Sequence, residues 1–278
     1  MLPSFLLSLR EGLEAALIIG IVLGVLHKLG RRDLTSAVWR GAAIAGAFSL
    51  FVAFLLQTIG AEIEGRAEEI FEGSAMLVAA VILTWMIFWM RRQSNTFRHE
   101  LETGVRKAAN QNGQRGLFLL AFFAIAREGL ELSLFLTASA MTSDLLNTTI
   151  GAMTGLFVSS LLGYLLFSGT RRLNLKNFFQ VTNILLILFA AGLVAHGFHE
   201  FNEAGLAPSV ISHIYDLNPI LDEGSALGTL LTTLFGYNGN PSLTELTAYL
   251  AYFTLLWLLF RTQPSATTSV SEANGGTD

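Results

Sequence analysis

Seven apolar runs follow one another along the chain, at roughly residues 2–26, 37–59, 70–90, 116–141, 150–169, 178–199 and 244–260. A bilayer core about 30 Å thick is crossed by roughly 20 residues of helix. Each run therefore predicts a transmembrane helix, and together they predict an all-α polytopic membrane protein. Runs two, five and seven are almost uncharged, whereas one, three, four and six contain or abut acidic residues. This divides the bundle into a packing half and a polar half. Between runs six and seven lies a segment of about 45 residues, more than a connector requires. Within it "SALGTLLTTLFGY" is too short to span and predicts an interfacial or re-entrant segment. "GYNGNPS" after it is a series of turn signals. The polar tail, residues 263–278, predicts disorder.

Composition agrees with this picture: of 278 residues 52% are apolar and only 14% charged. The chain has no cysteine, which excludes disulfides and thiolate metal sites. The net charge of −4 matters less than where the charges lie. Lys28, Arg31, Arg32 and Arg40 follow run one. Arg91, Arg92, Arg98, Arg106, Lys107 and Arg115 separate runs three and four, Arg171, Arg172 and Lys176 join five to six, and Arg261 follows seven. All but three of the 17 basic residues thus fall on one side, which basic loops mark as cytoplasmic. The N-terminus is expected outside and the C-terminus inside. Acidic residues take the other side, among them Glu62, Glu64, Glu68, Asp144, Asp216, Asp222, Glu223 and Glu245, and such a surface attracts cations.

Two of the remaining arginines are unusual. Arg10, Glu11 and Glu14 lie inside run one, and the same five letters, REGLE, return at Arg127 to Glu131 inside run four. Each motif opens a group of three runs, and because three is odd the groups point in opposite directions. This predicts an inverted repeat of spans one to three (about 1–92) and four to six (about 114–203). The outer loop and a seventh helix (about 204–262) complete a single transmembrane domain, residues 1–262. Counted from the helix ends, Glu11 and Glu14 lie about 14 to 18 Å below the outer surface. Glu128 and Glu131 lie about 18 to 22 Å above the inner one. Both motifs meet near mid-membrane, where inverted-repeat transporters place their substrate.

Glutamates three apart share a helix face, so Glu11 with Glu14, and Glu128 with Glu131, offer paired carboxylates. Ionisable groups at this depth cost about 2.5 to 3.5 kcal/mol each on insertion scales. Arg10 and Arg127, each four residues before the second glutamate, offset part of that cost. A structural salt-bridge knot is the competing reading. With all six groups charged the two motifs are net −2, which a divalent cation would neutralise. Oxygen ligands without thiolate suit hard ions and disfavour copper(I). Outer pairs repeat the spacing: Glu69 with Glu72 opens run three, and Glu200 with Glu203 closes run six. They read as a capture site, with helix N-terminal charge complementarity the alternative for Glu69 and Glu72. His196 and His199 beside Glu200 have spacing fit for one metal face.

Two REGLE motifs in spans one and four of seven resemble the oxidase-dependent high-affinity iron permeases of fungi and bacteria. "EEIFEG" at Glu68 to Gly73, "AGLVAHGFHE" at Ala191 to Glu200 and "LGTLLTTLFGYNGNPS" at Leu227 to Ser242 look like family segments. The resemblance implies iron uptake across the plasma membrane, the bacterial inner membrane for so compact a form. It implies that Glu11, Glu14, Glu128 and Glu131 bind iron, which is cargo and not a permanently bound cofactor. It also implies a separate iron oxidase or extracellular iron-delivery protein as partner. The lipid bilayer is the other partner; nothing suits nucleic acid, and the glycine spacings at Gly20 and Gly24 or Gly151 and Gly155 are compatible with a homo-oligomer.

Carboxylates alone also suit transport of manganese or lead. An intramembrane enzyme using a glutamate dyad is the reading from another class. No nucleophile pattern supports it, so the sequence predicts a transporter and not an enzyme.

Overall fold

The computed structural model describes residues 1–62, 65–93, 96–111, 113–141, 145–167, 175–208, 211 and 214–261. Glu64, Asp144, Arg171, Arg172 and the tail from Thr262 lie outside the described residues. Those described form nine α-helices and no strand. They are α1 (Leu2–Lys28), α2 (Thr35–Glu62), α3 (Arg66–Gln93), α4 (Thr96–Gln111), α5 (Gly113–Met141), α6 (Leu145–Phe167), α7 (Leu175–Glu203), α8 (Ala226–Phe235) and α9 (Leu243–Arg261).

Five of them, α2, α3, α6, α7 and α9, are long and apolar enough to cross a membrane. The REGLE helices α1 and α5 match them in length, at 27 and 29 residues. It is the charge within their apolar runs that sets them apart. Large apolar side chains point outward from the bundle: Leu50, Phe54 and Phe157 are 74%, 67% and 71% exposed. In water so much apolar surface would drive association; in a bilayer it faces acyl chains.

The sequence treats residues between the third and fourth runs as a basic loop. The structure corrects this: α4 is a helix whose apolar residues are spaced for one face, with Leu101, Val105 and Ala109 turned inward. That face packs under the ends of α1 and α5 against Leu26, Leu34 and Leu117, and Arg31 Nη1 donates to the Ala109 carbonyl at 3.4 Å. Its low mean hydropathy hid it among the charges.

Short α8 is the segment expected to be interfacial or re-entrant. Ser225 caps it by accepting from the Gly228 N–H at 3.0 Å, and Gly236 ends it at φ 66°, a left-handed conformation that glycine adopts at no steric cost. Gly236 sits against Gly192 so closely that a Cβ on either would strike the other's backbone. The contact is about three turns in from the C-terminal end of α7, so α8 packs against the body of that helix.

Three helix pairs dominate the packing: α1 with α6, α2 with α5, and α3 with α7. Along α1, Ser4, Ser8, Gly12, Ala16 and Gly20 meet Gly151, Gly155, Ser159, Gly163 and Phe167 of α6 in ascending order, so the two run parallel. Small residues every four positions let the backbones close. Gly24, on the same spacing, touches nothing. The pair α2 and α5 repeats the arrangement: Gly41 meets Ala121 and Ser49 meets Gly129, again in parallel. In α3 and α7, Gly73 meets Phe201 and Gly197 meets Leu77, so these run antiparallel.

Candidate metal centre

Each REGLE glycine lies at one of these crossings. Gly12 packs on Ser159 and Gly129 on Ser49, and a Cβ at either would clash with the serine hydroxyl. Between these crossings α1 also packs on α5, and glutamates of the two motifs converge there. The serines keep to their own helices: Ser49 Oγ donates to the Ala45 carbonyl at 2.9 Å and Ser159 Oγ to the Leu156 carbonyl at 2.9 Å. Ser133 Oγ ties the second crossing by donating to the Ser49 carbonyl at 3.0 Å.

Glu11, Glu128 and Glu131 then place one carboxylate oxygen each within 4.8 Å of the others. All three are buried, at 1%, 5% and 8% exposure. The Oε2 atoms of Glu11, Glu128 and Glu131 have no hydrogen-bond partner. A buried acceptor without a partner costs about 1–3 kcal/mol, more when charged, and here three occur in one place. A cation coordinated by the three carboxylates would satisfy them together. Glu14 stands beside the cluster, within electrostatic reach of Glu131 and Arg127.

The arginines flank this group unequally. Arg10 is wholly buried; its Nη1 is 2.6 Å from Glu11 Oε1 and its Nη2 3.1 Å from Glu14 Oε1. Nη1 also donates to Met86 Sδ on α3 at 2.9 Å. Arg127 is 35% exposed and bonds Glu131 Oε1 through Nε at 3.0 Å. Each arginine therefore reaches the glutamate four residues on, as the spacing predicted. Met86 had no signal in the sequence, because it depends on how α3 crosses α1.

Of the acids outside the REGLE motifs, Glu200 lies within electrostatic reach of Glu72, Glu69 and Glu203. The two acidic pairs thus face one another across α3 and α7. Of the two histidines, His199 reaches these acids. His196 Nδ1 is 3.0 Å from the Gly192 carbonyl of its own helix. His199 lies between two carboxylates, with Nδ1 3.0 Å from Glu245 Oε1 and Nε2 3.4 Å from Glu203 Oε1.

Glu245 is the polar residue that the sequence reading underrated. Only 4% exposed, it accepts from Asn238 Nδ2 at 2.7 Å and from the Ser242 N–H at 3.3 Å. Ser242 Oγ accepts in turn from the Glu245 N–H at 3.2 Å, closing a capping box at the start of α9. The S-x-x-E spacing was the signal that could have found it.

The chain matches the iron permease FTR1 family over residues 1–270. The chain belongs to this family. It is 36% identical over 275 residues to the ferrous iron permease EfeU of Shigella sonnei, covering 98% of this chain and 100% of that one. The same permease of Yersinia pestis is 36% identical over 269 residues, 96% of this chain and 95% of the relative. No solved structure matches. FTR1 membership with five strongly apolar helices makes this a multi-pass membrane permease of the bacterial inner membrane, and its relatives bear the names of transporters and not of enzymes.

Proposed function

We propose that this FTR1-family chain carries iron into the cytoplasm through a central site formed by Glu11, Glu128 and Glu131, with Glu14 beside them. The observation that carries the reading is the convergence of three buried carboxylates, each of which leaves one oxygen without a hydrogen-bond partner. With all six groups charged, four glutamates and two arginines give a net charge of −2, which a ferrous ion would neutralise and a ferric ion would exceed by one. Oxygen donors suit such hard or borderline ions. A rigid salt-bridge knot would instead have used these oxygens internally.

Glu69, Glu72, Glu200 and Glu203 form the outer capture surface from which iron moves inward, and His199 with Glu245 orients Glu203. Seven helices cross the membrane with the N-terminus outside. The parallel course of α1 with α6 and of α2 with α5, and the antiparallel course of α3 with α7, are the directions that seven alternating crossings require. The same pairings suit an inverted repeat of α1 to α3 and α5 to α7, since exchanging the two triplets turns the α1–α6 contact into the α5–α2 contact. A separate iron oxidase or delivery protein supplies the outer face.

Iron binding by the detergent-purified protein tests the site. Wild type is expected to bind iron, and replacing Glu11 and Glu128 together by glutamine to weaken binding at least tenfold while the helical circular dichroism stays unchanged. Equal affinity in the double variant would remove the cluster from the route.

A further inference from the structure

The carboxylate cluster lies between two apolar cores. Towards the end of the bundle that carries Glu72 and Glu200, the barrier consists of Leu7 on α1 and Phe135 on α5, each 0% exposed, with Met76 and Leu83 of α3 in the same core. Leu7 is one helical turn before Glu11, and Phe135 one turn after Glu131. Met76 stands one turn after Glu72. Leu7 and Phe135 thus lie within about a turn of the cluster on the side of Glu72 and Glu200. Beyond them, Ser4 and Ser139, each also 0% exposed, join α1 to α5 through a hydroxyl–hydroxyl hydrogen bond of 3.2 Å.

On the opposite side of Glu11 the packing is looser at the level of the motifs. The Glu14 side chain is 14% exposed and Arg127 35%. The motifs are thus partly open at the level of Glu14 and Arg127, while Ile18 and Leu117, 2% and 0% exposed, belong to the second buried core beyond them.

We propose that Leu7 and Phe135 are a gate between the outer acidic pairs and the REGLE cluster, latched by the Ser4–Ser139 hydrogen bond and closed in this structure. The inference rests on the cluster being the transport site. Apolar constrictions gate ions by excluding water, and Leu7 and Phe135 offer a cation no ligand. Admission of the ion therefore requires α1 and α5 to separate at these four residues. The Ser4–Ser139 bond joins neutral hydroxyls and carries no charge pair that separation would have to break.

The absence of native cysteine makes the test clean. The Ser4→Cys, Ser139→Cys double variant places two thiols within reach of a disulfide. In proteoliposomes, oxidation is expected to cut radiolabelled iron uptake by the double variant at least tenfold, and dithiothreitol to restore it; each single variant should be indifferent to oxidant. Full uptake by completely cross-linked protein would overturn the gate, as would failure of the two thiols to cross-link. Uptake by the reduced double variant, lost on adding Glu131→Ala, reports separately on the transport site, so the two claims fail distinguishably. If the double variant does not reach the membrane, Phe135→Ala takes its place. An opened barrier should raise passive iron leak severalfold, and an unchanged leak would contradict the gate.

Discussion

Arg10 ties the first REGLE motif together. It is wholly buried and serves two glutamates, so Arg10→Leu would leave Glu11 and Glu14 buried without their cation. Breaking one member of a buried ion pair costs about 3–5 kcal/mol. The melting temperature of the purified variant should fall by several degrees, and more than that of Arg127→Leu, because Arg127 is partly exposed and water screens its loss. Equal stability of the two variants would refute the asymmetry. The intrahelical pairs were legible in advance because i,i+4 geometry is a property of the helix alone. Met86 and the serines at the glycine crossings were not, since they depend on crossing angles between helices. Glu245 was half legible: its capping box is local, whereas its bond to His199 spans 46 positions.

At the scale of the helix, the apolar runs fixed where α1, α2, α3, α5, α6, α7 and α9 lie, with ends that shift by a few residues. What periodicity could not foresee was α4, whose polar composition resembles a loop until its apolar face has something to cover. The glycines divide in the same way. Gly20 and Gly24 look alike in sequence, yet Gly20 abuts Phe167 and Gly24 abuts nothing. Gly155, pressed against the Phe5 carbonyl and Ser8, cannot accept a side chain without moving α6 away from α1. Overpacking of this kind costs about 1–3 kcal/mol. Gly155→Val should therefore lower the yield of folded protein in size-exclusion chromatography, whereas Gly24→Ala should match wild type. Tolerance of both would show that the α1–α6 contact is not close-packed.

Across the whole molecule, the doubled REGLE motif pointed to the centre because two charged segments at matched depth have few structural explanations. The sequence placed Glu11, Glu14, Glu128 and Glu131 in one region. Only the fold distinguishes the three with converging oxygens from Glu14, which stands at the side. Passage of iron through those carboxylates is read most directly by radiolabelled iron uptake into proteoliposomes containing this chain alone. The account predicts uptake of ferrous iron by wild type and its loss, at least tenfold, in Glu11→Gln and in Glu131→Gln reconstituted to the same level. Uptake at the wild-type rate by either variant would contradict it.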